Sequence, residues 1–517
     1  MQFVREPLPI MMGAHCYAPI QTDNLFLITE DGLGVAPYVA SGLQQWGART
    51  LIIKSATLLS PQELPKAIAH FRLLHGAVKG IIHLAPLAAI PMPDSLTEWR
   101  KYTQMHSKSL FQLLQLCADD LQQQGQVLAA SLLGGYFGRN RESGSGLATG
   151  GSSIGLLKTL RMEWAGVQAK AIDFDRSLAP AEIAGHIIDE LLLPGGRLEV
   201  GYPQGNRTIF QTVAAPLNTT IAPQITPAGD WVVLVTGGAQ GITAKITREF
   251  LLPGMTLIVV GRSPEPEPES PVTAEIDDIG KLRQILLQQA IATGNSTTPK
   301  QIEEKLKQLQ RDRSIRYNLQ QFRQTGATVS YCSVDVRSPG EFGSLIDNIY
   351  TRYDRLDAVI HGAGIIEDKL IVDKTPESLE RVFDTKVDST FTLYHHLRPD
   401  TLKAIVLFSS VAGRCGNRGQ SDYGAANEVM NRLAWQMDGK WTNTRVVAIN
   451  WGPWDTTGMA SEEVKRQFRE RGIIPIPLDS GCQFFREELH YGHKGETEVI
   501  AGEGPWEASD AEMGGIR

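Results

Sequence analysis

The chain has 517 residues, 42% of them hydrophobic, with 50 glycines and 28 prolines, enough apolar material for more than one core. Its formal net charge of −7 offers nucleic acid no general electrostatic attraction, and it contains no run of about 18 apolar residues that could cross a bilayer. The five cysteines (Cys16, Cys117, Cys332, Cys415, Cys482) are odd in number and never spaced as CxxC, which argues against a zinc or disulfide framework and for a reducing cytoplasm. No metal, membrane or nucleic-acid partner is therefore expected. The opening MQFVREPLPIMMG also lacks the pattern of a signal peptide.

In chain order, NLFLITEDGLG (24–34) reads as an apolar strand, a Gly-containing turn and a helix entry, and RTLIIKS (49–55) as the next strand. GAVKGIIHLAPLA (76–88) and QVLAASLLGGYFG (126–138) continue the series, and a helix over GGSSIGLLKTLRMEW (150–164) leads into VQAKAIDF (167–174). The same order then returns. DWVVLVTGGAQG (230–241), TLIVVGR (256–262), RLDAVIHGAGI (355–365) and KAIVLFSSVAG (403–413) carry strands, and the helix YGAANEVMNRLAW (423–435) leads into TRVVAINWGPW (444–454). Short Val/Ile/Leu-rich strands alternating with helix-period segments predict parallel sheets with helices on both faces.

The expected fold class is α/β, with two Rossmann-like, doubly wound subdomains of one plan. Residues 1–215 form the first, a degenerate structural half. It has EDGLG where the second half has a full Gly-rich turn, and GGSS where the second has a tyrosine. A Pro/Thr-rich linker over 216–229 precedes a catalytic subdomain over 230–505, and 506–517 is a tail. An insertion over 263–325 begins SPEPEPES and ends in KQIEEKLKQLQRDRSIRYNLQQF (300–322), whose apolar residues recur at helical spacing amid charges. It is read as a solvated helix pair added to the cofactor half.

In WVVLVTGGAQGITA (231–244), Thr236, Gly237, Gly238 and Gly241 end an apolar strand and open a helix. Glycines there let the backbone approach a pyrophosphate, and the helix start supplies free N–H groups and partial positive charge. The next strand ends in Arg262, where the adenosine ribose should lie; Arg in place of an acid favours the 2′-phosphate of NADPH over NADH. Asp335, in SVDV (333–336), stands at a strand end suited to hold the adenine amine.

Ser410 lies 13 residues before Tyr423, and Tyr423 and Asn427 stand i, i+4 on one helix. A ketone receiving a hydride develops negative charge on oxygen and needs a proton donor beside it and a second hydrogen bond. Tyr423 is the candidate acid and Ser410 the oxygen anchor. A phenol titrates near ~10, so a neighbouring ammonium must favour its ionised form. Lys386, in FDTKVDSTFTLYHHL (383–397), is the candidate for that charge, with Asn427 ordering a proton-carrying water or the lysine.

The motifs VTGGAQGIT, GRS, DV, HGAGIIED, FSSVAG, YGAAN and NWGPW, with Lys386, resemble the ketoreductase domains of modular and iterative polyketide synthases over about residues 24–505. That family is a branch of the short-chain dehydrogenase/reductases. Its members exchange the usual Lys and Asn positions and pair a catalytic half with a degenerate one. The insertion after GRS is most similar to ketoreductases of polyunsaturated fatty acid and enediyne synthases. The resemblance implies NADPH-dependent reduction of a β-ketoacyl thioester, delivered on the phosphopantetheine arm of an acyl carrier protein. Other domains of a cytoplasmic megasynthase would be the remaining partners. It also adds Ile242, Ser263, Val336, Ala363, Gly364 and Pro453 to the cofactor residues, alongside Lys386 and Tyr423. IIED (365–368) takes the place of a Leu-Asp-Asp motif tied to the (3R)-alcohol. Ile366, Glu367 and Asp368 are thus candidates for stereochemical control, with Cys415, which stands where the opposite class has Trp. A substrate lid is expected over about 456–476, including Met459.

Two other readings stay open: a catalytically silent domain that binds a carrier or organises a synthase, and a free-standing reductase of small ketones. An acidic carrier requires local positive charge, for which Arg414, Arg418, Lys369 and Lys374 are candidates. PDSL (93–96) is not read as a phosphopantetheine-bearing serine, because it falls in a Pro-rich loop rather than at a helix start preceded by Gly.

Overall fold

The computed structural model describes residues 2–5, 24–140, 146–193, 195–292, 298–455 and 462–505. The first sheet holds β1 (Gln2–Arg5), β2 (Leu25–Thr29), β3 (Arg49–Ile53), β4 (Val78–His83), β5 (Gln126–Ser131), β6 (Gln168–Phe174), β7 (Glu199–Tyr202) and β8 (Thr208–Gln211). Its order is β1-β8-β7-β6-β5-β4-β2-β3, parallel from β2 to β7 and antiparallel where β8 meets β7 and β1. The second sheet holds β9 (Val232–Thr236), β10 (Thr256–Gly261), β11 (Thr328–Ser333), β12 (Ala358–His361), β13 (Ala404–Ser410), β14 (Arg445–Trp451) and β15 (Glu498–Ala501). Its order is β11-β10-β9-β12-β13-β14-β15, and every pairing is parallel.

Strands such as VVLVT and RVVAINW are buried along their whole length. Helices cover both sheet faces, so the apolar run needs no polar alternation. From β9 the chain winds outward to β10 and β11, then returns to β12 on the other side of β9. Order reversal of this kind leaves a crevice beyond the carboxyl ends of the two central strands. Here those ends are Thr236 and His361, paired in register.

The two halves meet through the helices Ser152–Glu163 and Ser421–Lys440. Their backbones touch: a Cβ on Gly155 would lie 2.3 Å from the Gly424 carbonyl oxygen. Around that contact Ile154, Leu157 and Leu160 join Ala426, Val429 and Leu433 in one continuous core. Each large side chain so buried stabilises by about 1.5–3 kcal/mol. The Tyr423 helix is therefore clamped by the other half. Gly155 and Gly424 follow Ile154 and Tyr423 respectively, so at this pseudo-symmetric crossing the first half offers an aliphatic side chain where the second offers a phenol.

Between β8 and β9, residues 212–231 form no regular element, and Gln224 N–H donates to the His490 carbonyl at 2.6 Å. The insertion departs from the sequence expectation. Its helix Ile279–Ala292 buries only Leu282 and Ala290, as a solvated helix would. The helix Pro299–Gln324, however, sinks Ile315, Leu319 and Phe322 into the core of the second half. Its apolar face is short and set among arginines, so charge content hid the packing.

Candidate active site

The Gly-rich turn follows β9 and opens the helix Gly241–Phe250. Gly237 has φ +68°, and a Cβ there would lie 2.9 Å from the Gly362 carbonyl oxygen, so only glycine fits. Gly241 has φ +59°, and its missing Cβ would meet no atom within 4 Å. The backbone therefore faces open space at a helix start. Gly238 instead packs under Val235, and Thr236 is fully buried. The Thr236 hydroxyl bonds His361 Nδ1 at 2.7 Å and accepts from Ala363 N–H at 3.3 Å. His361 also meets Ser389 Oγ at 2.9 Å. Burial, with the nearby Lys386 charge, pushes His361 down to about 3, so it is a neutral strut. Thr236 and Gly238 shape the turn without lining the cleft.

A cavity of about 680 Å³ runs from this turn to β13 and β14. Lys386, on the helix Pro376–His396, is buried and donates to the Phe408 carbonyl at 2.7 Å. Its Nζ lies 5.5 Å from the Tyr423 ring centroid. A Cβ on Gly364 would come within 3.0 Å of Lys386 Cε, so glycine at that position makes room for the lysine. Burial alone lowers Lys386 to about 7. Burial also lifts Tyr423 to about 12, against hydrogen bonding from Asn427 and Ser410 that pulls it down. Ser410 ends β13, and its Oγ accepts from Ala412 N–H at 3.1 Å, capping the short helix Val411–Cys415. Asn427 donates to the Tyr423 backbone carbonyl at 2.7 Å and does not reach the cleft. Gly237, Gly241, Ile242, Arg262, Ser263, Val336, Ala363, Gly364, Ile366, Lys386, Ser410, Tyr423 and Pro453 all line this one cavity.

Residues 232–456 match the family model described as KR domain. Over that stretch the chain is similar to KR domains. It is 29% identical over 470 residues to one of the subunits of the polyunsaturated fatty acid synthase of Thraustochytrium sp., covering 88% of this chain and 16% of that protein. Against polyketide synthase PksN of Bacillus subtilis the identity is 28% over 362 residues, covering 68% of this chain and 6% of that protein. The chain thus spans about a sixth or less of the length of these relatives. Among solved structures, an N-terminal ketoreductase from the macrolactin assembly line superimposes with a TM-score of 0.73 at 19% identity, covering 99% of this chain and 93% of that one. At that identity the likeness speaks for the fold, two Rossmann-like subdomains.

Several expected site residues lie outside this cavity. Asp335 is gripped by Arg337 through both carboxylate oxygens, the shorter contact being 2.6 Å. Burial raises Asp335, but the Arg337 hydrogen bonds outweigh it and leave the group below its usual range. It opens on a neighbouring cleft with Arg381 and Asp384. Glu367 is held by Arg381 and Ser378, which lower it to about 2. Asp368 is exposed and accepts from Gln420 at 3.0 Å. Cys415 is buried away from the cavity, in the short helix next to the first half. Of the four stereochemical candidates, Ile366, Glu367, Asp368 and Cys415, only Ile366 borders the cleft; Met459 lies outside the described residues, as do 456–461 of the expected lid. Phe468, in the helix Glu462–Glu470, lines the cavity wall.

Two of the four cations considered for a carrier are buried. Lys374 pairs with Asp422, and Arg414 pairs with Glu199 of the first half. Arg418 and Lys369 are exposed, on segments joined by a Lys369 N–H to Gly419 carbonyl bond of 3.0 Å. Ser95 of PDSL does sit at a helix start, contrary to the sequence reading, where its Oγ accepts from Glu98 N–H at 3.2 Å as an ordinary N-cap.

Sequence reading missed a buried ion cluster behind the Tyr423 helix. Glu199 on β7 accepts from Arg139 at 2.7 Å and pairs with Lys158 and Arg414. Arg432 pairs with Glu428 at 3.3 Å and with Glu498. Lys158 also donates to the Arg414 backbone carbonyl. Burial alone would raise Glu199, but three cations hold it well below the carboxylate range. The first half thereby grips the segment that follows Ser410. Its members are scattered from residue 139 to 498, so no local pattern marks them.

Proposed function

We propose that the chain reduces β-ketoacyl thioesters, held on the phosphopantetheine arm of an acyl carrier protein, to the (3R)-β-hydroxyacyl products with NADPH. The observation that carries this reading is the Lys386 ammonium 5.5 Å over the Tyr423 ring, with Ser410 lining the same cavity. The open backbone at Gly241, with the exposed Arg262 guanidinium on the same wall, suits a phosphorylated dinucleotide. Arg262 makes no side-chain hydrogen bond or ion pair with a described residue. Gly237, Gly241 and Ile242 would take the pyrophosphate, Arg262 and Ser263 the adenosine phosphate, and Ala363, Gly364 and Pro453 the nicotinamide end.

Bound NADPH would supply the hydride. Ser410 Oγ would hold the substrate oxygen as charge builds on it, and Tyr423 Oη would deliver the proton. Lys386 would steady the resulting phenolate by its charge, and Asn427 would fix the Tyr423 turn of its helix. Ile366 and Phe468 would shape the acyl side. Arg418 and Lys369 are the exposed cations left for an acidic carrier. The domain division at 1–215 and 230–505, with a lid over 456–476, belongs to the same proposal. A carrier-bound β-ketoacyl thioester should oxidise NADPH stoichiometrically and give one alcohol enantiomer by chiral chromatography. No NADPH oxidation would leave a silent carrier-binding domain as the better reading.

The pH dependence has a definite sign. Lys386 sits at about 7 and is charged only below that value, whereas Tyr423 keeps its proton to about 12. The value of kcat/KM for NADPH, which reports the free protein, should therefore fall as pH rises through about 7. Lys386→Arg, which keeps its charge, should abolish that limb; a profile flat to alkaline pH in the parent would remove Lys386 from this role.

A further inference from the structure

The cavity has a wall contributed by the insertion. Gln310, Arg311, Ser314 and Ile315 of the helix Pro299–Gln324 line it together with Arg262 and Ser263. These four positions fall on one helical face, and the helix is fixed at both neighbouring segments. Asn318 Nδ2 donates to the Ala239 carbonyl at 2.8 Å, and Gln240 Nε2 to the Arg311 carbonyl at 3.4 Å, tying it to the Gly-rich turn. Arg313 and Arg316 both grip Glu269 at 2.7 Å, and Arg323 pairs with Glu265 at 3.0 Å. Glu265 and Glu269 of the acidic run after Arg262 are thus paired by other arginines of the helix. The Arg311 side chain is 42% exposed, and its one ion pair among the described residues is a loose 3.5 Å contact with Asp312. Tyr331, whose hydroxyl donates to the Ser263 carbonyl at 2.8 Å, lies close enough to feel the Arg311 charge.

We propose that Arg311 is a second specificity residue for the cofactor, closing on the adenosine 2′-phosphate from the side opposite Arg262. The insertion then forms one side of the phosphate subsite, so that two guanidinium groups on separate elements bracket one dianion. Charge-assisted, often bidentate, contacts of this kind are the stronger class of hydrogen bond. The proposal rests on the NADPH reading, and its test separates the two.

Isothermal titration of the full chain with 2′,5′-ADP and with 5′-AMP measures the phosphate contribution without turnover. The parent should prefer 2′,5′-ADP. Arg311→Ala should weaken 2′,5′-ADP by about tenfold, as the loss of one charged hydrogen bond does, and leave 5′-AMP within about twofold. Arg311→Lys should recover part of the loss. If Arg311→Ala leaves 2′,5′-ADP unchanged while Arg262→Ala weakens it, the Arg311 proposal is overturned and the NADPH reading stands. Equal weakening of both ligands would also overturn it, because the residue would then act through the fold. A parent without preference for 2′,5′-ADP would overturn the NADPH reading and this proposal together.

Discussion

Tyr423→Phe is expected to slow reduction by about 10²–10⁴-fold, the range a positioned proton donor contributes, while NADPH affinity changes little. The ring itself is retained in this variant. Phe keeps the packing of Tyr423 against Val382 and Ala412, with Ile365 and Ile366 alongside, and it preserves the aromatic face beneath Lys386. What disappears is the hydroxyl, the group that would carry the proton and that burial keeps protonated to about 12. A loss confined to the chemical step is therefore the signature. Single-turnover rates and direct NADPH titration measure the two parts separately. Turnover within about threefold of the parent would remove Tyr423 from the mechanism proposed here.

The second large effect is on stability. Glu199→Gln should cost on the order of 3–5 kcal/mol, because it leaves Arg139, Lys158 and Arg414 buried without their shared carboxylate. The sign with pH is set by the same cations. They hold Glu199 well below its usual range, so its contribution is present above the unfolded value near ~4.3 and is lost as pH falls further. Urea unfolding near neutral pH should show a lower midpoint for the variant, with the gap to the parent closing in acid. The reduction rate should fall as well, because Arg414 belongs to the helix that Ser410 caps. An unchanged midpoint would show that the cluster is not what joins the halves.

Most of the parallel architecture was legible in the chain. Fully buried strands read as uninterrupted Val/Ile/Leu runs, and the glycines of TGGAQG mark a turn no larger residue could make. Tyr423, Ser410 and Lys386 were also legible as residue types in a motif set, although Lys386 and Tyr423 come from separate helices. Asp335 was misplaced by the same logic. A strand-end carboxylate looks available until the arginine two residues on folds back to grip it. Arg414 and Lys374 read as surface charge because burial of a cation depends on a partner that sequence order does not reveal. The Pro299–Gln324 helix read as solvated because its few apolar residues are outnumbered by charged and amide side chains.

By itself the sequence determined what is local or periodic: strands, the Gly-rich turn, the residue types able to donate a proton, and the halves' common plan. Tertiary structure alone decided which charges are buried, which side chains share the cavity, and that the insertion supplies one of its walls. Those outcomes depend on contacts between residues up to several hundred positions apart, such as Glu199 with Arg414. Burial strengthens such pairings and penalises an unpaired charge, so the pairing decides each group's role, and no spacing rule encodes it.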